Sequence, residues 1–588
     1  MLKTIRILRV GWSKAQYAAC FNTFLQPRRS SRNSARQQST QNVFSSVWKD
    51  IELPNCTLPE LVFEKAPNWA DKVAIECGVS GKSYTYEQLI LYSKRLACSL
   101  LKCGLKPSQT VTLFMPNMPE FPVCFLGILE AGLTLTAINP TYRAEEIVNQ
   151  MNDSSSRFII VHYNMLEVIL QVKNHFKNHL DIICVNDFDG KTRELPSGVR
   201  PFSDLIQNNI DVSKLDKQKH KIDINESIAF LPYSSGTTGL PKGVCLSHQN
   251  LTSNVAQMCI KEINTIQETT KTHQDTIIGV LPFFHIYGTQ VVLVRSLREG
   301  SKIVTLPKFD PKQFVNILEN NKNIVLYAVP PIILFMASHP SVTSKTLENL
   351  RFTGSGGAPC GSTDIERLLT KRDHQIVQAY GMTEASPVLT HSVPDSPCKA
   401  SVGYCVSNTF VKIVDIETGK TLGPRETGEL CFKGPQIMKG YLNKPEATAE
   451  TIDKDGWLHT GDLGYVDEKG CCFIVDRKKE LIKVKGFQVP PAELEAVLRQ
   501  HPSLCDAGVV GHPCSKAGEV PVAFVVVKQG VERPKEDAIK NFVADKVAPY
   551  KQIKHIIFTE VIPKNASGKI LRKQLKELIK TELKKEEN

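Results

Sequence analysis

Short apolar runs alternate with longer stretches of helical spacing through the first four hundred residues. Residues 110–115 (Thr-Val-Thr-Leu-Phe-Met) read as a strand, 121–131 as a helix, 133–138 as the next strand and 157–161 as another. The segment beginning at Ser83 opens a helix: Thr85 and Gln88 make a capping-box pattern, and Leu89, Leu96 and Leu100 fall on one face. Thr141 reads as the cap of a further helix, with Glu145 and Glu146 in its first turn, where the helix dipole favours acids. The same rhythm returns in strands over 276–281, 302–306 and 324–328. Strands separated by helices of this length predict βαβ units and parallel sheets.

Beyond about residue 400 the texture turns to β. Residues 411–414, 428–434 and 472–475 read as strands joined by Gly-rich turns. The last hundred-odd residues are different again: a helix over 491–498 with proline at its start, then strands at 520–527 and 555–558. Asp476-Arg477-Lys478-Lys479-Glu480 forms a charged joint between the two parts. The expected fold is α/β: a large domain over 46–476, built of parallel-sheet βαβ subdomains plus a β-rich subdomain, and a small α+β C-terminal domain over 477–588.

Composition changes this picture at one end only. The chain is 41% hydrophobic and 22% charged, an ordinary globular balance. Eight of its twelve net positive charges lie in residues 1–45, which hold no Asp or Glu. The remaining excess is too small for a nucleic-acid surface. The 1–45 segment is Arg- and Ser-rich, with Leu2, Ile5, Leu8 and Val10 set among Lys3, Arg6 and Arg9. That is the make-up of a mitochondrial targeting segment, with a cytoplasmic location as the alternative. The end, Lys584 to Asn588, is not a Ser-Lys-Leu peroxisomal signal. Seventeen scattered cysteines with no Cys-x-x-Cys pattern read as reduced thiols. The longest apolar run, 122–138, contains Glu130 and two glycines, so it predicts a buried helix-turn-strand rather than a membrane span.

Candidate chemistry begins at Tyr233-Ser234-Ser235-Gly236-Thr237-Thr238-Gly239-Leu240-Pro241-Lys242-Gly243-Val244, after a strand over 229–233. The glycine and lysine spacing does not fit a P-loop. Even so, small hydroxyl residues and glycines supply donors around phosphate oxygens, and Lys242 adds a positive charge.

Four further stretches accompany the loop: Gln378-Ala379-Tyr380-Gly381-Met382-Thr383-Glu384, Trp457-Leu458-His459-Thr460-Gly461-Asp462, Asp476 through Gly486, and Pro563-Lys564-Asn565-Ala566-Ser567-Gly568-Lys569. Together and in this order they resemble the adenylate-forming enzymes: acyl-CoA synthetases, 4-coumarate–CoA ligases and beetle luciferases. Phe284-His285-Ile286-Tyr287 and the loop are most similar to the 4-coumarate–CoA ligase-like branch. The resemblance spans about residues 50–575.

It implies an acid–CoA ligase that uses ATP, Mg²⁺ and CoA and acts on a small carboxylic acid, with no nucleic-acid partner. Ser234, Ser235, Gly236, Thr237, Thr238 and Lys242 would hold the β- and γ-phosphates, and Thr238 with Glu384 would orient Mg²⁺. Gly357, Ala358, Gln378, Ala379 and Tyr380 would frame the adenine, Thr383 would meet the α-phosphate, and Asp462 and Arg477 would hold the ribose. His285 would stand at the mouth of the acyl pocket. Lys569 would sit between carboxylate and α-phosphate. The small domain would rotate about Lys479 and bring Lys483, Lys485 and Gly486 to the thiol. Ala379 stands where relatives usually have glycine, and Val291 where hydroxycinnamate-specific members can carry a polar residue. A fatty acid is therefore the first expectation and an arylpropenoic acid the second. A luciferase-like oxygenase and a non-catalytic nucleotide-binding member are the alternatives.

Overall fold

In a computed structural model the described residues are 42–586, apart from 177–179, 188, 190, 214, 216–221, 235–240, 359, 395–400, 486, 515–516 and 566–567. Four sheets organise them. The first runs Tyr233–Ser234, Lys242–Ser247, Ile228–Phe230, Thr134–Ala137, Thr110–Phe114, Phe158–His162, Asp181–Val185, Val199–Pro201. The second runs Tyr404–Cys405, Val388–His391, Gln375–Gly381, Leu350–Ser355, Ile324–Ala328, Thr276–Gly279, Lys302–Thr305, Val73–Cys77, Ser83–Thr85. Their central strands pair in parallel, as the strand–helix alternation predicts. One continuous apolar core, from Leu58 to Met438, includes strands of both sheets. The apolar run over 122–138 is a buried helix, Glu120–Glu130, a tight turn and the strand Thr134–Ala137. Among the described residues no helix is long and apolar enough to cross a membrane.

The β-rich region is a third sheet, Val43–Ser45, Phe410–Val414, Gly428–Lys433, Leu458–Val466, Cys472–Arg477. The fourth belongs to the C-terminal lobe: Phe487–Val489, Ile482–Val484, Gly518–Val527, Leu504–Cys514, with His555–Phe558 added in parallel. Its own core joins Leu494 and Leu498 of the helix Pro491–Arg499 to Val509, Ala523 and Ile539. Asp476 Oδ2 accepts from Ala492 N at 2.9 Å, so the last strand of the third sheet ties down the first helix of the small lobe. Burial raises the Asp476 carboxyl to about 6.

Two expectations on local structure are corrected. Thr141 does not cap the helix Ala144–Asp153. Asn139 Oδ1 takes the N–H and hydroxyl of Thr141 in a turn of its own, and the helix starts from Arg143, whose N–H is held by Glu146 at 2.8 Å. Residues 83–85 do not open a helix; they are a strand in a hairpin with Val73–Cys77. The capping box at Thr85 and Gln88 is present, and the helix is Tyr86–Lys102. All fifteen cysteines among the described residues are free thiols.

Candidate active site

Positioning starts with backbone register. Ser234 pairs with Lys242 and Tyr233 with Gly243, so the two ends of the hydroxyl-rich loop return to one place. Gly243 lets the strands pack closely there, since a Cβ would come within 3.1 Å of the Tyr233 ring. A second strand, Gly440–Tyr441, pairs with Val244 and Cys245 and lays Tyr441 beside the loop's exit. The ammonium of Lys242 lies 4.7 Å from the centre of the Tyr441 ring. Residues 235–240, and so the expected roles of Ser235, Gly236, Thr237 and Thr238, fall outside the described residues, as does Gly486.

Glu384 is the focus of this corner. It is buried, and its Oε1 accepts from Ser234 Oγ at 3.1 Å and from Tyr441 OH at 2.8 Å. A carboxylate ringed by hydroxyls is a hard, oxygen-only donor set, which fits Mg²⁺. Sequence reasoning missed Tyr441. Nothing in Met438-Lys439-Gly440-Tyr441 signals chemistry; only strand pairing brings it in.

Gln375–Gly381 and Leu350–Ser355 lie side by side and deliver Gln378–Tyr380 and Gly357–Ala358 at or just beyond their carboxyl ends, where ligands bind in parallel sheets. Ala379 pairs with His391 on the next strand. Gly381 admits no side chain, since a Cβ would run into the Pro387 carbonyl. Tyr287 packs against Gly356, and an added Cβ there would meet its ring at 3.2 Å. A small cavity is lined by Tyr233, Phe284, His285 and Thr383 among others.

Asp462 lies in the strand Leu458–Val466, directly opposite Arg477. Tyr380 OH donates to its Oδ2 at 2.6 Å, and Arg477 Nε stands 3.5 Å from its Oδ1. Burial raises its pKa, while Arg477, Tyr380 and Lys569 pull the other way. The sequence separates Tyr380, Asp462 and Arg477 widely; the structure makes them one cluster.

Lys569 completes the site from the small lobe. A short turn holds it: Lys569 N donates to Asn565 Oδ1 at 2.9 Å, and Asn565 N to Lys569 O at 2.9 Å. Gly568 has φ +79 and lies against the large lobe, where a Cβ would stand 2.9 Å from Pro331 Cδ. Both the backbone angle and the close approach call for glycine. Burial first, and then Arg477, lower the Lys569 ammonium to about 8, against the pull of Asp462, Glu384 and Glu480. Burial first, and Lys569 second, lower His285 to about 4, so that imidazole is neutral at pH 7. The ammonium thus shares one electrostatic neighbourhood with His285, Glu384 and Asp462.

Lys479 does not join them. It is exposed in the turn between the strands Cys472–Arg477 and Ile482–Val484. Lys483 and Lys485 are exposed too; their N–H groups bond to Glu519 Oε2 and Ala517 O within the small lobe. On the small-lobe side of the turn, Arg572 binds Glu480 at 2.6 Å, Glu495 and the Val509 carbonyl.

The family model described as "AMP-binding enzyme" matches residues 62–442, and that of its C-terminal domain matches 493–569. The chain belongs to the AMP-binding enzyme family. Within that family it is 40% identical to 4-coumarate–CoA ligase 3 of Arabidopsis thaliana, over 91% of this chain and 94% of the relative. It is 41% identical to 4-coumarate–CoA ligase 2 of Nicotiana tabacum, over 91% and 96%. Among solved structures, ATP-bound MatB from Rhodopseudomonas palustris matches 90% of this AMP-binding enzyme and 99% of its own chain, with a TM-score of 0.79 at 27% identity. These relatives agree with the expected fold class and with the resemblance carried by the motifs.

Proposed function

We propose that this AMP-binding enzyme is an ATP-dependent acid–CoA ligase. The observation that carries the reading is the convergence of Lys569 with Asp462, Glu384 and His285, four residues from four separate motifs.

A carboxylate resists thiols because it is anionic and lacks a leaving group. In the first half-reaction a carboxylate oxygen bonds to the α-phosphorus, and the bridging P–O bond breaks to release pyrophosphate. In the second, the CoA sulfur attacks the acyl carbon, its proton leaves, and the C–O bond to AMP breaks. Lys569 places an ammonium where two anions must meet, and such preorganised charge is worth more there than in water. Lys242 and Ser234 face the outer phosphates. Gly357, Ala358, Gln378, Ala379 and Tyr380 frame the base, Thr383 faces the α-phosphate, and Asp462 with Arg477 orients the ribose. Glu384, with Thr238 from the loop, would hold the Mg²⁺ that offsets phosphate charge when bound. Neutral His285 borders the acyl group without adding a charge.

The two half-reactions need different surroundings for one adenylate. A large domain over 46–476 and a small one over 477–588 alternate about Lys479, which lies in a three-residue turn as hinges commonly do. Rotation would bring Lys483, Lys485 and Gly486 to the thiol. The acid is of the fatty or arylpropenoic class. The 4-coumarate ligases support the second, whereas Val291, buried and apolar one turn beyond Tyr287, supports a less polar acyl group. ATP–pyrophosphate exchange over acids graded in length and aromaticity, with the CoA product read by mass, tests the reading. Exchange with no acid would overturn it. The basic, acid-free 1–45 segment supports a mitochondrial address, and a fluorescent protein carrying that segment but staying in the cytosol would refute it.

A further inference from the structure

The strand pair Gly428–Lys433 and Leu458–Val466 carries a cluster that adenylation does not use. Antiparallel register sets Cys431 opposite His459, and Glu429 lies two residues along the same face. One ligand atom from each of Glu429, Cys431 and His459 lies within 4.8 Å of the others. His459 Nδ1 stands 3.4 Å from Cys431 Sγ and 3.4 Å from Glu429 Oε2. The second distance is long for a hydrogen bond. Both match the edges of a tetrahedron around Zn²⁺ at ordinary bond lengths, about 3.5 Å for sulfur to nitrogen and about 3.4 Å for nitrogen to oxygen.

The surroundings fit as well. His459 Nε2 faces Asp453 Oδ2 at 3.5 Å, the carboxylate–imidazole arrangement that fixes the ring of a metal-bound histidine. Glu429 Oε1 is engaged by Gly461 N–H at 2.9 Å, which leaves Oε2 for an ion. The His459 side chain is 28% exposed and gives a path from solvent. Two cations border the cluster: Lys478 at 3.5 Å from Glu429 Oε2 and Lys412 at 3.8 Å from Asp453 Oδ2. Lys478 is 42% exposed and can swing into water.

We propose that Glu429, Cys431 and His459 bind a soft divalent cation, Zn²⁺ foremost, at a site separate from the nucleotide pocket. Thiolate selects such ions over Mg²⁺. On binding, the S–H bond breaks, a sulfur–metal bond forms, the proton passes to water, and a water molecule takes the fourth position. A coordinated thiol is deprotonated, so binding releases a proton. Occupancy also takes Glu429 Oε2 from Lys478, next to Lys479.

Titration of the full chain with Co²⁺, followed by absorption, tests the site. One equivalent should produce a thiolate-to-cobalt charge-transfer band that excess Zn²⁺ removes. Cys431→Ser should abolish this band, and His459→Gln should weaken binding at least tenfold. No band in the wild type, or the same band in Cys431→Ser, overturns the proposal. Should the serine variant fail to fold, His459→Gln, at a partly exposed position, decides with the thiol intact: unchanged affinity overturns the site.

Discussion

Replacing Lys569 by alanine removes an ammonium that the small lobe brings among the large lobe's motif residues. Its ammonium falls from 10.5 to about 8, through burial first and Arg477 second. At about 1.4 kcal/mol per unit, that drop is a penalty on the charged form of roughly 3 kcal/mol. An anion arriving beside Nζ reverses the penalty. Two unit charges at ~4 Å and an effective dielectric of about 20 attract by about 4 kcal/mol before desolvation. Much of that desolvation is already present in the folded site, so a net effect of roughly 3–4 kcal/mol is expected, or about 10²–10³ in rate. The assay compares ATP–pyrophosphate exchange with CoA thiolysis of supplied acyl-AMP. Lys569→Ala should lower exchange at least a hundredfold and thiolysis far less. The sign of the pH dependence follows from the same shift. The ammonium is present below about 8, so kcat/KM for exchange should fall as pH rises through that value. His285, neutral down to about 4, should not shape the neutral range. Equal losses in both half-reactions, or an exchange rate within tenfold of the wild type, would refute the reasoning.

Lys479→Pro should leave pyrophosphate exchange within a few-fold of normal and block thioester formation, because proline restricts the turn's backbone; normal overall turnover would refute the hinge. Arg572→Ala should destabilise the small lobe by roughly 3–5 kcal/mol, since Glu495, 5% exposed, loses its ion-pair partner. Denaturant unfolding measures it, and a shift below about 1 kcal/mol would refute that burial argument. Gly381→Ala should cost roughly 1–3 kcal/mol or more, because its Cβ meets the rigid Pro387 carbonyl. A thermal midpoint unchanged in that variant would show that the strand relaxes freely.

Strand–helix alternation, the turn to β texture after residue 400 and the Thr85 capping box were legible because they rest on local spacing and local hydrogen bonds. The motifs were legible for a different reason: phosphates, riboses and anhydrides need particular groups, and those groups stand in short ordered runs. Local reading failed where a turn competed with a helix. Thr141 could have capped, but Asn139 two residues earlier took its hydroxyl.

What the chain alone decided is therefore the kinds of element and the inventory of reactive groups. Only tertiary structure decided which groups meet. Tyr380, Asp462 and Arg477 become one cluster through a hydrogen bond and a cross-strand pair, and Tyr441 reaches Glu384 through strand pairing. Glu429, Cys431 and His459 converge through register, and nothing in the spacing of Cys431 and His459 announces it. The physical reason is that charge and hydrogen bonding act over a few ångströms of space, whatever the distance along the chain. Lys569 makes the case most plainly: its ammonium gains its character from burial and from Arg477, Asp462 and Glu384, all far from it in sequence.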